Sequence, residues 1–152
     1  TLEIETMPKK PNMRFSNLSE SPLYSVDTIS THDMAPLRLW WKQNPESAVD
    51  YWRNILHKDS PTPGLLSPED CEIIIARHMR STSLLCIIAL QDWLGIDSNL
   101  RSENLEQEQI NHPEIPRHYW RWRMIPTIEQ LISNKQFTAK VKKLSQLRNN
   151  SL

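Results

Sequence analysis

Glycine is nearly absent: the 152-residue sequence carries two, where average usage of about 7% gives roughly ten. An initiator methionine is missing too, and the chain opens Thr-Leu-Glu-Ile-Glu-Thr directly in strand-like alternation. Both features fit a piece cut from a longer protein. Cysteine is as scarce. Cys71 and Cys86 have no metal-type spacing and sit in apolar surroundings, which favours buried free thiols in a reducing compartment over a disulfide. No stretch reaches the roughly 20 apolar residues of a membrane span, and no signal-peptide core opens the chain. A cytoplasmic protein with no membrane partner is the expectation. An excess of one charge is also lacking. Eighteen basic residues balance eighteen acidic ones, so no global field recruits nucleic acid or an anionic surface.

What is present suits one domain: 38% apolar and 24% charged residues, enough for one sizeable core and too few for two. Leu2–Met7 alternates as a strand, and Pro8–Ser21 reads as loop. Tyr24–Ser30, with Val26, Thr28 and Ile29, is the second strand candidate. A helical turn is predicted over Pro36–Lys42. Asn44-Pro45-Glu46 then supplies a cap, a first-turn proline and an acid for a helix that presents Val49, Trp52, Ile55 and Leu56 on one face. Ser67-Pro68-Glu69-Asp70 starts another helix, running to about Arg80 with Cys71, Ile74, Ile75 and His78 at helical spacing. The run L-L-C-I-I-A-L at Leu84–Leu90 predicts a strand buried on both faces, with Gln91–Ile96 turning away from it. Asp97–Pro116 is polar and reads as a long loop. Thr127-Ile-Glu-Gln130 is a capping box for a terminal helix that breaks near Asn134 and ends by about Arg148. Strands separated by helices predict an α/β architecture with a parallel sheet, and three strands are too few to close a barrel.

Four groups of residues can carry chemistry. Thr31-His32-Asp33 ends the second strand; there an imidazole can hydrogen-bond sugar hydroxyls and a carboxylate can stabilise an oxocarbenium-like centre. Taken alone, the triplet reads more simply as Asp33 capping the next helix. Asn111-His112-Pro113, with His118 beyond, offers two histidines but no third ligand at metal-site spacing. Tyr119-Trp-Arg-Trp-Arg-Met124 can stack bases or sugars, though inward packing of Trp120 and Trp122 is the plainer expectation. Trp40-Trp41 can line a carbohydrate site or sit in the core. Lys135, Lys140, Lys142, Lys143 and Arg148 read as a solvated helix face.

In order along the chain, T-H-D at 31–33, L-Q-D-W-L-G at 90–95, N-H-P at 111–113 and W-R-W-R at 120–123 resemble the C-terminal third of a 4-alpha-glucanotransferase, the amylomaltase or disproportionating-enzyme family of glycoside hydrolases (family 77). The wording T-H-D-M-x-x-L-R-x-W-W, the ending Y-W-R-W-R-M and the start L-E-I-E-T-M-P-K are similar to the branch found in Bacteroides-like bacteria and in the plant cytosolic enzyme. The resemblance implies the C-terminal part of a (β/α)8 TIM barrel, about strands six to eight with their helices, forming a single incomplete catalytic domain over 1–152. It implies that Asp33 is the third catalytic carboxylate, which orients the sugar at the cleavage subsite without attacking it. His32, Thr31, Asn111 and Trp41 are then sugar-binding residues. No metal and no cofactor are expected. α-1,4-Glucans and maltooligosaccharides are the implied partners, and nucleic acid is not one.

This sequence departs from the family at three places: the usual Arg-Met-Asn is Gln109-Ile110-Asn111, the glycine after the proline is Glu114, and the asparagine before the first tryptophan is Tyr119. Gln109 therefore inherits none of the arginine's contacts. Retaining transfer also needs a nucleophilic carboxylate and a general acid about 5–5.5 Å apart. In the family these lie in an Arg-x-Asp and a Glu-Asp-Leu-Gly strand end, and neither motif occurs here. The expectation is a fragment that is inactive alone and needs the remainder of its barrel. A non-catalytic carbohydrate-binding or interaction module is the alternative.

Overall fold

The computed structural model describes residues 14–149, so the strand expected over Leu2–Met7 lies outside the described residues. The sheet among the described residues is a parallel pair: β1 (Val26–Asp27) beside β2 (Leu85–Cys86), with Val26 opposite Leu85 and Asp27 opposite Cys86. Its ladder is prolonged by Leu84 N–H donating to the Leu23 carbonyl and Ile87 N–H to that of Asp27. Parallel neighbours need a crossover, and helices supply it. These are α1 (Leu37–Gln43), α2 (Pro45–Asp50), which widens into a π-helical turn over Tyr51–Ile55, and α3 (Pro68–Met79). After β2 come α4 (Leu90–Leu94), a 3-10 turn (Leu105–Glu108), α5 (Ile128–Ser133) and α6 (Lys135–Asn149). The architecture is α/β, as expected.

The start signals worked where they were local. Ser67 Oγ accepts from Asp70 N–H while Asp70 Oδ2 accepts from Ser67 N–H, and Thr127 and Gln130 repeat the arrangement for α5. Asn44 is different. Its amide donates to the Trp40 carbonyl at 2.8 Å and closes α1 rather than capping α2.

Aromatic side chains build the core. α1 buries five consecutive residues, Leu37 to Trp41 with Arg38 among them, and leaves Lys42 and Gln43 at its end exposed. Trp41 meets Trp52 edge to face at 6.0 Å, and Phe15 meets Tyr51 at 5.0 Å. Two of the buried indoles place their N–H groups on the following loop: Trp41 Nε1 donates to the Pro63 carbonyl and Trp52 Nε1 to that of Ser60. The π-helical turn brings Tyr51 and Trp52 inward with Ala48, which leaves Val49 at the surface against expectation. α3 packs on α6 through Cys71, Ile74, Ile75, Phe137 and Leu144. Both cysteines are free, and burial pushes the thiols up to about 12 at Cys71 and about 11 at Cys86.

Two further expectations need correction. The apolar run at 84–90 is not a strand buried on both faces: Leu85 and Ile87 are 52% and 59% exposed, and α4 begins at Leu90. Val26, opposite Leu85, is exposed as well, so one side of the sheet stands uncovered. The basic face of α6 is not wholly solvated either. Lys140 Nζ lies 3.2 Å from Glu72 and donates to the Ile96 carbonyl, and Arg148 donates to Ser81.

Candidate active site

Beyond β1 the chain passes through buried Ile29 and Ser30, then surfaces in a turn that carries Thr31, His32 and Asp33. Met34 N–H closes the turn on the Thr31 carbonyl at 3.3 Å, and Thr31 Oγ1 accepts from Asp33 N–H. His32 Nε2 stands 3.1 Å from Asp33 Oδ2, with both side chains about half exposed. The turn separates two hollows. His32 and Thr31 line a cavity of about 170 Å³ with Ile87 and Ile110, and Asp33 lines an open groove with Gln43, Glu106 and His112. The helix-capping reading of Asp33 fails, because no side chain of the turn caps α1. The Leu37 N–H is taken by Asp92 instead.

The long loop completes the arrangement. Asn111 Nδ2 donates to Asp33 Oδ1 at 2.7 Å, while its Oδ1 accepts from Trp120 Nε1 at 2.9 Å. The Trp120 ring lies 5.1 Å from that of His32, tilted by 42°. His32, Asp33, Asn111 and Trp120 thus close a ring of polar and stacking contacts on the surface. The left-handed backbone at Arg117 (φ 62°) helps turn the loop back between Asn111 and Trp120. Trp120 does not pack inward, as the plainer sequence expectation has it, but is 59% exposed. The signal that points to it is the interleaving of arginine with tryptophan, which puts an indole where it can stack.

Below this surface lies a buried polar layer. Asp92 Oδ1 accepts from Leu37 N–H at 2.8 Å and Asp92 Oδ2 from the Ser30 hydroxyl. Beside it, Gln91 donates to the Glu108 carbonyl at 3.2 Å. Glu108 Oε1 accepts from Arg38 at 2.8 Å and from Ser102 N–H, tying the long loop to α1. Burial pushes Glu108 up and Arg38 down, each toward its neutral form, while the partner's charge opposes the shift. Gly95 leaves room for this layer: a Cβ there would stand 3.0 Å from the Asp92 carbonyl and 3.4 Å from Arg38 Cδ.

Full burial raises the Asp92 carboxyl from its ordinary 3.8 to about 6, against the pull of the Ser30 and Leu37 hydrogen bonds. A carboxyl with a higher pKa folded than unfolded binds more protons in the native state, so its contribution to stability falls as pH rises from about 4 to about 6 and is level above that. Asp92→Asn, which keeps the shape and removes the buried charge, is therefore expected to melt a few degrees higher than the parent above pH 6. The gap should close below pH 4. Melting curves across that range check this, and a gap of constant size would refute it.

The remaining candidates fare differently. Trp41, expected to bind sugar, is 1% exposed in the aromatic core with its N–H satisfied, so it lines no site. His112 and His118 do come together, rings 5.0 Å apart, but His112 Nδ1 pairs with Glu114 and His118 Nε2 with the Ile110 carbonyl. Among the described residues no group of three or more metal-type side chains gathers. No helix among them is long and apolar enough to cross a membrane.

A histidine–carboxylate pair at the end of a parallel strand, hydrogen-bonded across to a loop with an exposed indole, defines an α/β protein with a surface suited to a polar, ring-shaped ligand. The profile of glycoside hydrolase family 77, described as 4-alpha-glucanotransferase, matches residues 1–128, and the chain belongs to that family. The chain is 31% identical over 143 residues to 4-alpha-glucanotransferase DPE2 of Oryza sativa subsp. japonica, covering 94% of this chain and 15% of that protein. Against a Chlamydia caviae 4-alpha-glucanotransferase it is 30% identical over 128 residues, covering 84% and 24%. The fold is similar to that of an amylomaltase from Streptococcus agalactiae in complex with acarbose, at a TM-score of 0.58 and 19% identity, over 82% of this chain and 22% of that one. The chain thus spans about a quarter or less of the proteins it resembles.

Proposed function

We propose that this chain supplies one wall of the sugar site of a 4-alpha-glucanotransferase, contributing about strands six to eight of a (β/α)8 barrel as part of a single catalytic domain. The complete enzyme cleaves an α-1,4 bond of a maltooligosaccharide or starch-type glucan, holds the glycan covalently on a nucleophile outside this chain, and passes it to a sugar 4-hydroxyl with retention. Asp33 orients the sugar at the cleavage point and opposes the positive charge that develops in the oxocarbenium-like transition state. His32 and Asn111 hydrogen-bond the sugar hydroxyls, Thr31 fixes the turn, and the Trp120 ring gives the sugar a face to lie on. No cofactor enters this chemistry.

The observation that carries the reading is the carboxylate of Asp33 held on both oxygens, by Asn111 at 2.7 Å and His32 at 3.1 Å, beside an exposed indole. The acarbose bound by the Streptococcus agalactiae amylomaltase supports a glucan-like ligand here. The test is maltotriose conversion. The complete enzyme is expected to release glucose and build longer maltooligosaccharides, and the purified 152-residue chain to do neither. Glucose released by the chain alone would overturn the division of labour. The exposed Trp120 also favours a second reading, a glycan-binding module without chemistry. Measurable affinity of the isolated chain for maltooligosaccharide, with no turnover by the complete protein, would support that instead.

A further inference from the structure

We infer that the first turn of α4 is a clamp that sets the distance between the two strips of chain that meet at the site, with Asp92 a positioning residue for Asp33 and Gln91 one for Asn111. The inference rests on the reading of Asp33 as the sugar-facing carboxylate.

Asp92 grips both ends of the segment that carries the Thr-His-Asp turn. One oxygen accepts from the Ser30 hydroxyl immediately before the turn, and the other from Leu37 N–H at the start of α1. Between those anchors the turn is exposed and held to itself by long bonds of 3.3 and 3.4 Å. Its geometry is therefore set by where its ends are fixed. Gln91, the preceding residue, reaches the Glu108 carbonyl at 3.2 Å, and Glu108 leads through Gln109 and Ile110 to Asn111. Two consecutive residues of one helical turn thus hold the two strips of chain whose side chains meet at the 2.7 Å Asn111–Asp33 bond.

A neutral asparagine could accept from Leu37 at a smaller desolvation cost. What the carboxylate alone supplies is two charge-assisted bonds at once, which are roughly twice as strong as neutral ones. A displacement of about 1 Å at a catalytic group costs up to ~100-fold in rate, so a modest slackening has a measurable effect.

The test is kinetic, in the complete enzyme, with maltotriose as substrate. Asp92→Asn is expected to lower kcat about tenfold with KM within about twofold, even though it melts no lower than the parent. A role in stability alone predicts the reverse pairing, with turnover following melting temperature. Ser30→Ala, which removes one strut, should lower kcat several-fold, and Gln91→Met likewise. In Asp33→Asn the clamp has no carboxylate left to hold in place. The Asp33→Asn, Asp92→Asn double variant should therefore be no slower than Asp33→Asn alone. Multiplying defects, or Asp92→Asn turning over at the parental rate while Asp33→Asn is slow, overturns the clamp. Full turnover by Asp33→Asn overturns instead the reading of Asp33, and the clamp with it.

Discussion

Asp33→Asn in the complete enzyme is expected to cut kcat on maltotriose by about 10²–10³-fold, the range found when one preorganised group that stabilises transition-state charge is lost. The substitution is nearly isosteric. It spares the bond across to the loop, since the new amide oxygen can still accept from the Asn111 amide now 2.7 Å from Asp33 Oδ1. What disappears is the acceptor that faces His32 and, on the proposed role of Asp33, the negative charge opposite the developing cation. Because the side chain is 48% exposed, the fold should hardly notice: a change within about ±0.5 kcal/mol is ordinary for such a surface position. Slow turnover at an unchanged melting temperature is the expected pair of results. Near-parental turnover would leave Asp33 as a turn residue and nothing more.

Glu108→Ala should have the largest effect on stability. The Arg38 and Glu108 side chains are 10% and 5% exposed, and their bond at 2.8 Å is supplemented by Ser102, whose N–H reaches Glu108 and whose carbonyl accepts from Arg38. Removing the acid leaves a guanidinium buried beside α1 with its counter-charge gone, and an uncompensated buried charge typically costs about 3–5 kcal/mol. The double variant Arg38→Met, Glu108→Leu, which replaces the pair by apolar groups of similar bulk, should recover most of the loss. Thermal melting of the three proteins decides it. A Glu108→Ala protein that melts with the parent would show that water reaches the pair and screens it.

Local signals in this chain are legible and distant ones are not. The capping boxes at Ser67 and Thr127 each close within one turn, so the sequence names both partners. The Thr-His-Asp turn and Asn111 stand out only through family resemblance, because nothing in their local pattern links residues so far apart. Trp120 and Trp41 exchange the places the sequence suggests for them. Adjacent tryptophans on α1 look equally suited to a sugar or a core, and it is Tyr51 and Trp52, arriving from the next helix, that draw Trp41 inward. Trp120 faces outward because its partners, His32 and Asn111, sit on a strand end and a loop that the local pattern does not connect. Asp92 is hidden for the same reason. It lies in the first turn of its own helix but takes the N–H of another one. The apolar run at 84–90 misleads because such a run predicts a strand buried on both sides only where both sides have a cover.

The pairing of Val26 with Leu85 also governs when the site can exist. Strands this far apart in sequence meet only after the intervening chain has been closed into a loop, an entropy cost met before any contact rewards it. In chain order the turn with His32 and Asp33 comes first, then the helical crossover, then Asp92, then Asn111 and Trp120, with α5 and α6 behind them. Until Asn111 emerges the Asp33 carboxylate lacks its partner across the loop. A truncation between α4 and Trp120 would therefore leave a chain that carries the crossover helices but lacks α5, α6 and the Asn111–Trp120 side of the ring around Asp33.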